Sequence, residues 1–264
     1  MDDYLSDTPL TVRGQQDAKA LGSRLKELHN ATSIYVSPLY RCLETARMIA
    51  EGAGLHDLEL KVEPGLMEWT VTSGGKPPTV LLSHQELVVA GFKISREYKP
   101  SMKATDINDR ETTRDYSRRS EVTFKHCLRD HELTTGEGTM LVVAHQLTVL
   151  TLSISLVDSR IPFVLELLQH GAKLPYLGHV RLSRDGHLWD QEFLVFASKG
   201  DREKYTEVYR KVQQMSRRMG YKYWDTVASF ALNAVFTRFP SLLLYLAKGK
   251  TCWTRLSFQE GSCS

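Results

Sequence analysis

The sequence predicts a three-layer α/β/α architecture built on an open, mostly parallel sheet, and three observations carry the prediction. The run Thr139-Met140-Leu141-Val142-Val143-Ala144 is apolar without alternation, the mark of a strand buried on both faces, and a helical pattern of Leu, Val, Ile and Thr follows it directly. The β-branched and aromatic run Ser33–Ser37 is likewise followed at once by a helix, with Cys42, Ala46, Ile49 and Ala53 on one face. Leu58, Leu60 and Val62 alternate with Glu59, Lys61 and Glu63 before the Pro64-Gly65 turn, the period of a half-buried strand near a sheet edge. Strands that alternate with helices close into crossover units with helices over both faces.

The remaining elements follow the same logic. Ala18, Leu21, Leu25 and Leu28 recur at helical spacing between Gly14 and Asn30, a surface helix with one buried stripe. Residues 71–110 hold Gly74-Gly75 and Pro77-Pro78 and one short helix announced by Ser83 and Glu86 in capping-box register, which reads as an insertion or lid. Residues 111–134 are polar with sparse anchors at Tyr116, Val122, Phe124 and Leu128, which predicts a mostly solvated helix ending before Gly136 and Gly138. Tyr176–Leu194 alternates around Asp185-Gly186 as a closing hairpin.

With that hairpin the compact unit is complete, so residues 1–200 are expected to form one domain and 201–264 a helical appendage. Residues 201–219 read as a highly charged helix. The apolar stretch Val227–Ala247 approaches a membrane span in length, but Arg238 and Pro240 make a spanning helix costly, so a packed or interfacial helix is expected there. Gly249–Ser264 has no periodicity and reads as a disordered end.

Bulk composition narrows the function classes. Lys and Arg total 34 against 31 Asp and Glu, a net charge of +3 that makes no case for a nucleic-acid or membrane-surface partner. Any phosphate site must therefore be local. Four scattered cysteines lack zinc or disulfide spacing, and Met1–Tyr4 begins neither a signal nor a transit peptide, so reduced thiols and a cytoplasmic location are expected. No Gly-rich loop ends in Gly-Lys-Ser/Thr. Only four residues separate Cys42 from Arg47, too few for a loop that closes around phosphate behind a cysteine nucleophile. His126 and His131 are five apart on a polar helix, do not share a face for a metal, and read as solvated, so no metal or other cofactor is expected.

Ligands of an open parallel sheet gather beyond the carboxyl ends of its strands. Three polar residues stand there: Arg41 in the first turn after strand 33–37, Glu68 just past strand 58–62, and His145 at the end of strand 139–144. Taken singly, each is most often a surface charge, an exposed carboxylate or a hydrogen-bonded strand-end imidazole. Their joint placement on one rim favours a site.

The ordered segments Asp7-Thr8-Pro9-Leu10-Thr11 with Gly14 and Gln15, then Ser37-Pro38-Leu39-Tyr40-Arg41-Cys42 with Thr45-Ala46, resemble the histidine phosphatase superfamily of phosphoglycerate mutase-like fold. Val62–Trp69 and Val142-Val143-Ala144-His145 are similar to the suppressor of T-cell receptor signalling and ecdysteroid-phosphate phosphatase group. The resemblance runs from about Asp7 to Asp190. It implies metal-independent hydrolysis of phosphotyrosine or another phosphate ester, with a phosphorylated histidine as intermediate. Arg41 would then clamp phosphoryl oxygens, Glu68 would protonate the leaving group, and His145 would be the second pocket histidine.

Two departures qualify this. The Arg-His-Gly segment that carries the phosphoacceptor in the family comes ahead of the Asp-x-Pro-Leu segment, yet no residue of Met1–Ser6 is His. The usual Ser-His-Gly is Ala144-His145-Gln146, so a hydroxyl and a glycine are replaced. The sheet is therefore expected to lack its first internal strand, beside the one ending at His145, leaving a row of unpaired backbone groups. Two readings result: a phosphomonoesterase lineage impaired in this chain, or a pseudophosphatase that binds phosphorylated ligands without turnover.

Overall fold

The computed structural model describes residues 7–69, 81–136, 138–157, 177–185, 188–194 and 242–248. Strand β1 (Ala31–Val36) lies between β2 (Leu60–Val62) and β3 (Thr139–Ala144), parallel to both. Beyond β3 come β6 (Leu242–Lys248), β4 (His179–Asp185) and β5 (Leu188–Leu194), giving the order β2-β1-β3-β6-β4-β5. The last pair is the antiparallel hairpin expected around Asp185. Every residue of β3 is buried.

The alternation of side chains along a strand divides the core into two halves. Ile34, Val36, Leu141 and Val143 face helices α1 (Val12–Arg24) and α2 (Tyr40–Gly52). Tyr35, Met140, Val142 and Ala144 face the opposite layer, with Phe124 and Cys127 of helix α4 (Thr113–Thr135) and Val149 and Leu152 of helix α5 (Gln146–Val157). Helices α1 and α2 cross at two glycines: a Cβ on Gly22 would strike the Ile49 carbonyl, and one on Gly52 the Lys19 carbonyl.

Helix starts follow their caps. Thr11 Oγ accepts from the Gly14 amide at the start of α1. Leu39 gives α2 no side-chain cap, and the Asp7 carboxylate supplies it instead, accepting from the Tyr40 amide at 2.8 Å. The first helix ends at Arg24, and Lys26–Asn30 continues as a 3-10 turn rather than as the same helix.

Four expectations are corrected. Helix α4 is not mostly solvated: Tyr116, Ser117, Arg119, Ser120, Thr123, Phe124, Cys127 and His131 are buried, while the supposed anchor Val122 is exposed. His131 is 6% exposed and bonds Ser33 at 2.7 Å, so it is a core polar residue, not a solvated one. Within residues 71–110, expected to be an insertion or lid, the described part from residue 81 onward is anchored in the core and is not a detached lid. The capping box of Ser83 and Glu86 starts helix α3 (His84–Val89) as read, but Leu87, Phe92 and Ile94 join the core beside Leu60.

The fourth correction concerns the tail. Residues 242–248, expected within a helix, form β6, antiparallel to β3 and parallel to β4. The unpaired row expected beside β3 is consequently filled over Met140–Ala144. A run of apolar residues satisfies a buried strand as well as a helix, and a vacant ladder decides between them. The helix expected at 201–219, residues 227–241 and the end at 249–264 lie outside the described residues. Among the described residues no helix is long and apolar enough to cross a membrane.

Candidate active site

Strands β1 and β3 run in the same direction and in register, Val36 opposite Val143, so the residues after them emerge side by side. Those residues are Ser37 and His145. The Ser37 amide donates to the Val143 carbonyl at 3.0 Å, and Ser37 Oγ lies 2.9 Å from His145 Nε2. A hydroxyl is thus supplied to this imidazole from the neighbouring strand, although Ala144 carries none.

Helix α2 begins three residues after Ser37 and brings Arg41 across His145. Arg41 Nη2 lies 3.2 Å from His145 Nδ1, and Nη1 lies 3.5 Å from Asp7 Oδ1. Asp7 therefore serves twice, capping α2 and steadying the guanidinium. Burial raises its pKa, while the Tyr40 amide and Arg41 pull it back down.

Glu68 arrives from the third side. After β2 the chain makes a 3-10 turn over Pro64–Leu66, held by Glu63, whose buried carboxylate accepts from Gly65, Tyr98 and Ser101. Glu68 Oε2 then stands 3.6 Å from His145 Nδ1, and Glu68 Oε1 is buried with no hydrogen-bond partner among the described residues. The structure thus brings Arg41, Glu68 and His145 together around one ring nitrogen.

The electrostatics follow from burial. Arginine only donates, so Nδ1 of His145 accepts and the ring proton sits on Nε2, facing Ser37. Burial, then Arg41 and Arg119, hold the His145 pKa well below the usual imidazole value. Burial likewise pushes Glu68 up to about 7, against the opposing pull of Arg41. The His145–Glu68 contact is accordingly not an ion pair at neutral pH: it is a neutral imidazole beside a carboxyl whose proton burial holds more tightly than usual. Cys42 Sγ, buried 3.7 Å from Nε2, closes the floor. Cys42 and Arg47 belong to one helix, so no phosphate-wrapping loop runs between them.

Sequence reasoning missed Ser37 and Asp7 as partners of the site and missed Arg119 altogether. Arg119 is 7% exposed, pairs with Glu111 at 2.7 Å, and donates to the carbonyls of Gly65 and Met67. Nothing in a polar helical pattern marks one arginine among Arg114, Arg118 and Arg119 as the buried one. Among the described residues no group of three His, Cys, Asp or Glu side chains is arranged to hold a metal.

The sequence model of the Histidine phosphatase superfamily (branch 1) matches residues 4–179, more than half of the chain and all of the site. The chain belongs to that superfamily. It is 32% identical over 190 residues to the ecdysteroid-phosphate phosphatase of Drosophila melanogaster, covering 70% of this chain and 24% of that protein. It is 29% identical over 178 residues to ubiquitin-associated and SH3 domain-containing protein B of Mus musculus, covering 67% of this chain and 28% of that one. The chain thus spans about a quarter of the length of these curated relatives. Among solved structures it is similar to the ecdysone phosphate phosphatase of Bombyx mori in complex with tungstate, with TM-score 0.50 and 29% identity over 60% of each chain. The mixed sheet, parallel over β2-β1-β3 and packed with helices, is the α/β fold of this superfamily.

Proposed function

We propose that this domain belongs to a phosphomonoesterase lineage and that its site receives the phosphoryl group of phosphotyrosine or a small phosphate ester, binding it without turnover in this chain. The observation that carries the reading is the convergence of Arg41 and Glu68 on His145 Nδ1, at 3.2 and 3.6 Å. The planar guanidinium fork of Arg41 suits two phosphoryl oxygens. An arriving dianion offsets the burial that keeps His145 neutral, so Nδ1 takes a proton and donates to the phosphoryl oxygen. In a member of the lineage that turns over, a carboxyl placed like Glu68, with its pKa near 7, would hold a proton for the leaving oxygen, which otherwise departs as a poor alkoxide or phenolate.

Absence of turnover rests on the nucleophile. Both ring nitrogens of His145 are engaged, by Ser37 and Arg41, so this imidazole is not poised to attack phosphorus. A second reading makes recognition itself the function, a pseudophosphatase that holds phosphorylated ligands. Calorimetry with tungstate and a p-nitrophenyl phosphate assay test both. Tungstate binding that Arg41→Ala abolishes, with no hydrolysis above background, is expected. Hydrolysis that disappears in His145→Ala would overturn the non-turnover reading, and no tungstate binding would overturn the phosphoryl site.

A further inference from the structure

The segment that delivers Glu68 has no strand ladder of its own. Residues 63–69 leave β2 and make one 3-10 turn, which satisfies the carbonyls of Glu63 and Pro64 from the amides of Leu66 and Met67, and then run on irregularly, so the carbonyls that follow take donors from elsewhere. One side chain on α4 supplies several of them. Arg119 Nη1 donates to Gly65 O at 2.8 Å and to Met67 O at 2.9 Å, while Nε and Nη2 hold the two Glu111 oxygens at 2.7 and 2.8 Å.

We propose that Arg119, locked by Glu111, is a positioning residue of the site: it grips the backbone of residues 65–67 and thereby fixes the Glu68 carboxyl against His145 and Arg41. The inference rests on the proposed reading of Glu68 as the proton donor.

Three further contacts make the grip rigid. Thr123, one helical turn beyond Arg119, sits so close to Gly65 that a Cβ there would collide with its side chain. The Trp69 indole donates to the Glu111 carbonyl at 2.8 Å and stacks on Tyr116 at 5.9 Å, interplanar 22°. The backbone is thus held on both sides of Glu68 by a short stretch of α4 and the residues leading into it. A lysine could not do the same: the arrangement uses a flat donor set directed at two carbonyls and a carboxylate together, where an ammonium is a compact point charge.

The test separates positioning from mere stability. In Arg119→Lys, which keeps the charge and loses the fork, Glu68 is expected to swing toward water, so its carboxyl midpoint, read by carbon NMR, falls from about 7 toward 4.5. Tungstate affinity, which runs through Arg41, is expected to stay within about threefold, less than the tenfold that 1.4 kcal/mol represents. Glu111→Gln should move the midpoint in the same direction by less. A folded Arg119→Lys or Glu111→Gln variant with the Glu68 midpoint unmoved overturns the proposal. Should Arg119→Lys fail to fold, Glu111→Gln decides it, since it keeps the size of the side chain and one acceptor while turning the other acceptor into a donor, which loosens the hold on Arg119. Loss of tungstate binding by the unaltered protein would sink the phosphoryl reading, while the Glu68 midpoint still reports on Arg119.

Discussion

His145 Nδ1 accepts from Arg41 at 3.2 Å and stands 3.6 Å from the Glu68 carboxyl, so a cation and an acid compete for one lone pair. Neither ring nitrogen is left to solvent, since Ser37 Oγ lies 2.9 Å from Nε2.

The first consequence is a pH dependence of stability with two opposing parts. Glu68 has a folded pKa raised from 4.5 to about 7, so its contribution is full below pH 4.5 and is lost as pH rises through about 7. His145 has a folded pKa well below 6.5, so its contribution is full above pH 6.5 and is lost as pH falls below it. Glu68→Gln removes only the first part. Thermal melts of this variant are expected to lack the loss that Glu68 causes in the unaltered protein as pH rises from 4.5 to about 7, and to show a gain over it at pH 8 of at most about 3 kcal/mol, the size of the shift. Equal pH profiles for the two proteins would contradict the raised Glu68 pKa.

Arg41→Lys addresses the anion. Charge is retained but the fork is lost, and with it the simultaneous hold on two oxygens and on Nδ1. Hydrogen bonds to charged groups contribute about 1.5–3 kcal/mol each, so tungstate binding should weaken by about tenfold to a hundredfold. Since Arg41 depresses the Glu68 and His145 pKa values, Arg41→Ala should raise both, which NMR titration reads directly. An unchanged titration would mean that the guanidinium does not face them.

Sheet closure offers a separate test. Leu244 pairs with Val142 on one side and Val180 on the other, in the middle of β6. Leu244→Pro removes a ladder donor at an interior strand and should cost about 3 kcal/mol or more in chemical denaturation. Unchanged stability would remove β6 from the sheet.

Much was legible in the sequence where one local rule sufficed. The unbroken apolar run 139–144 can only be a strand covered on both faces or part of a buried helix, and its length decides for a strand. The turn at Pro64-Gly65 and the capping box at Ser83 and Glu86 are set by residues within three positions of each other. The rim placement of Arg41, Glu68 and His145 likewise followed from counting residues past strand ends.

What local rules could not decide were the long-range partners. His131 and Arg119 look like solvated residues of a polar helix because burial of a polar group is settled by its partner, and Ser33 and Glu111 with the 65–67 carbonyls become partners only when α4 packs. Residues 242–248 are compatible with helix or strand until β3 and β4 offer two open ladders. The sequence by itself determined which segments are apolar, where strands stop and which polar residues stand at their ends. Tertiary structure alone decided protonation: burying His145 and Glu68 around one guanidinium shifts their pKa values in opposite directions, and desolvation is a property of the packed fold, not of the chain.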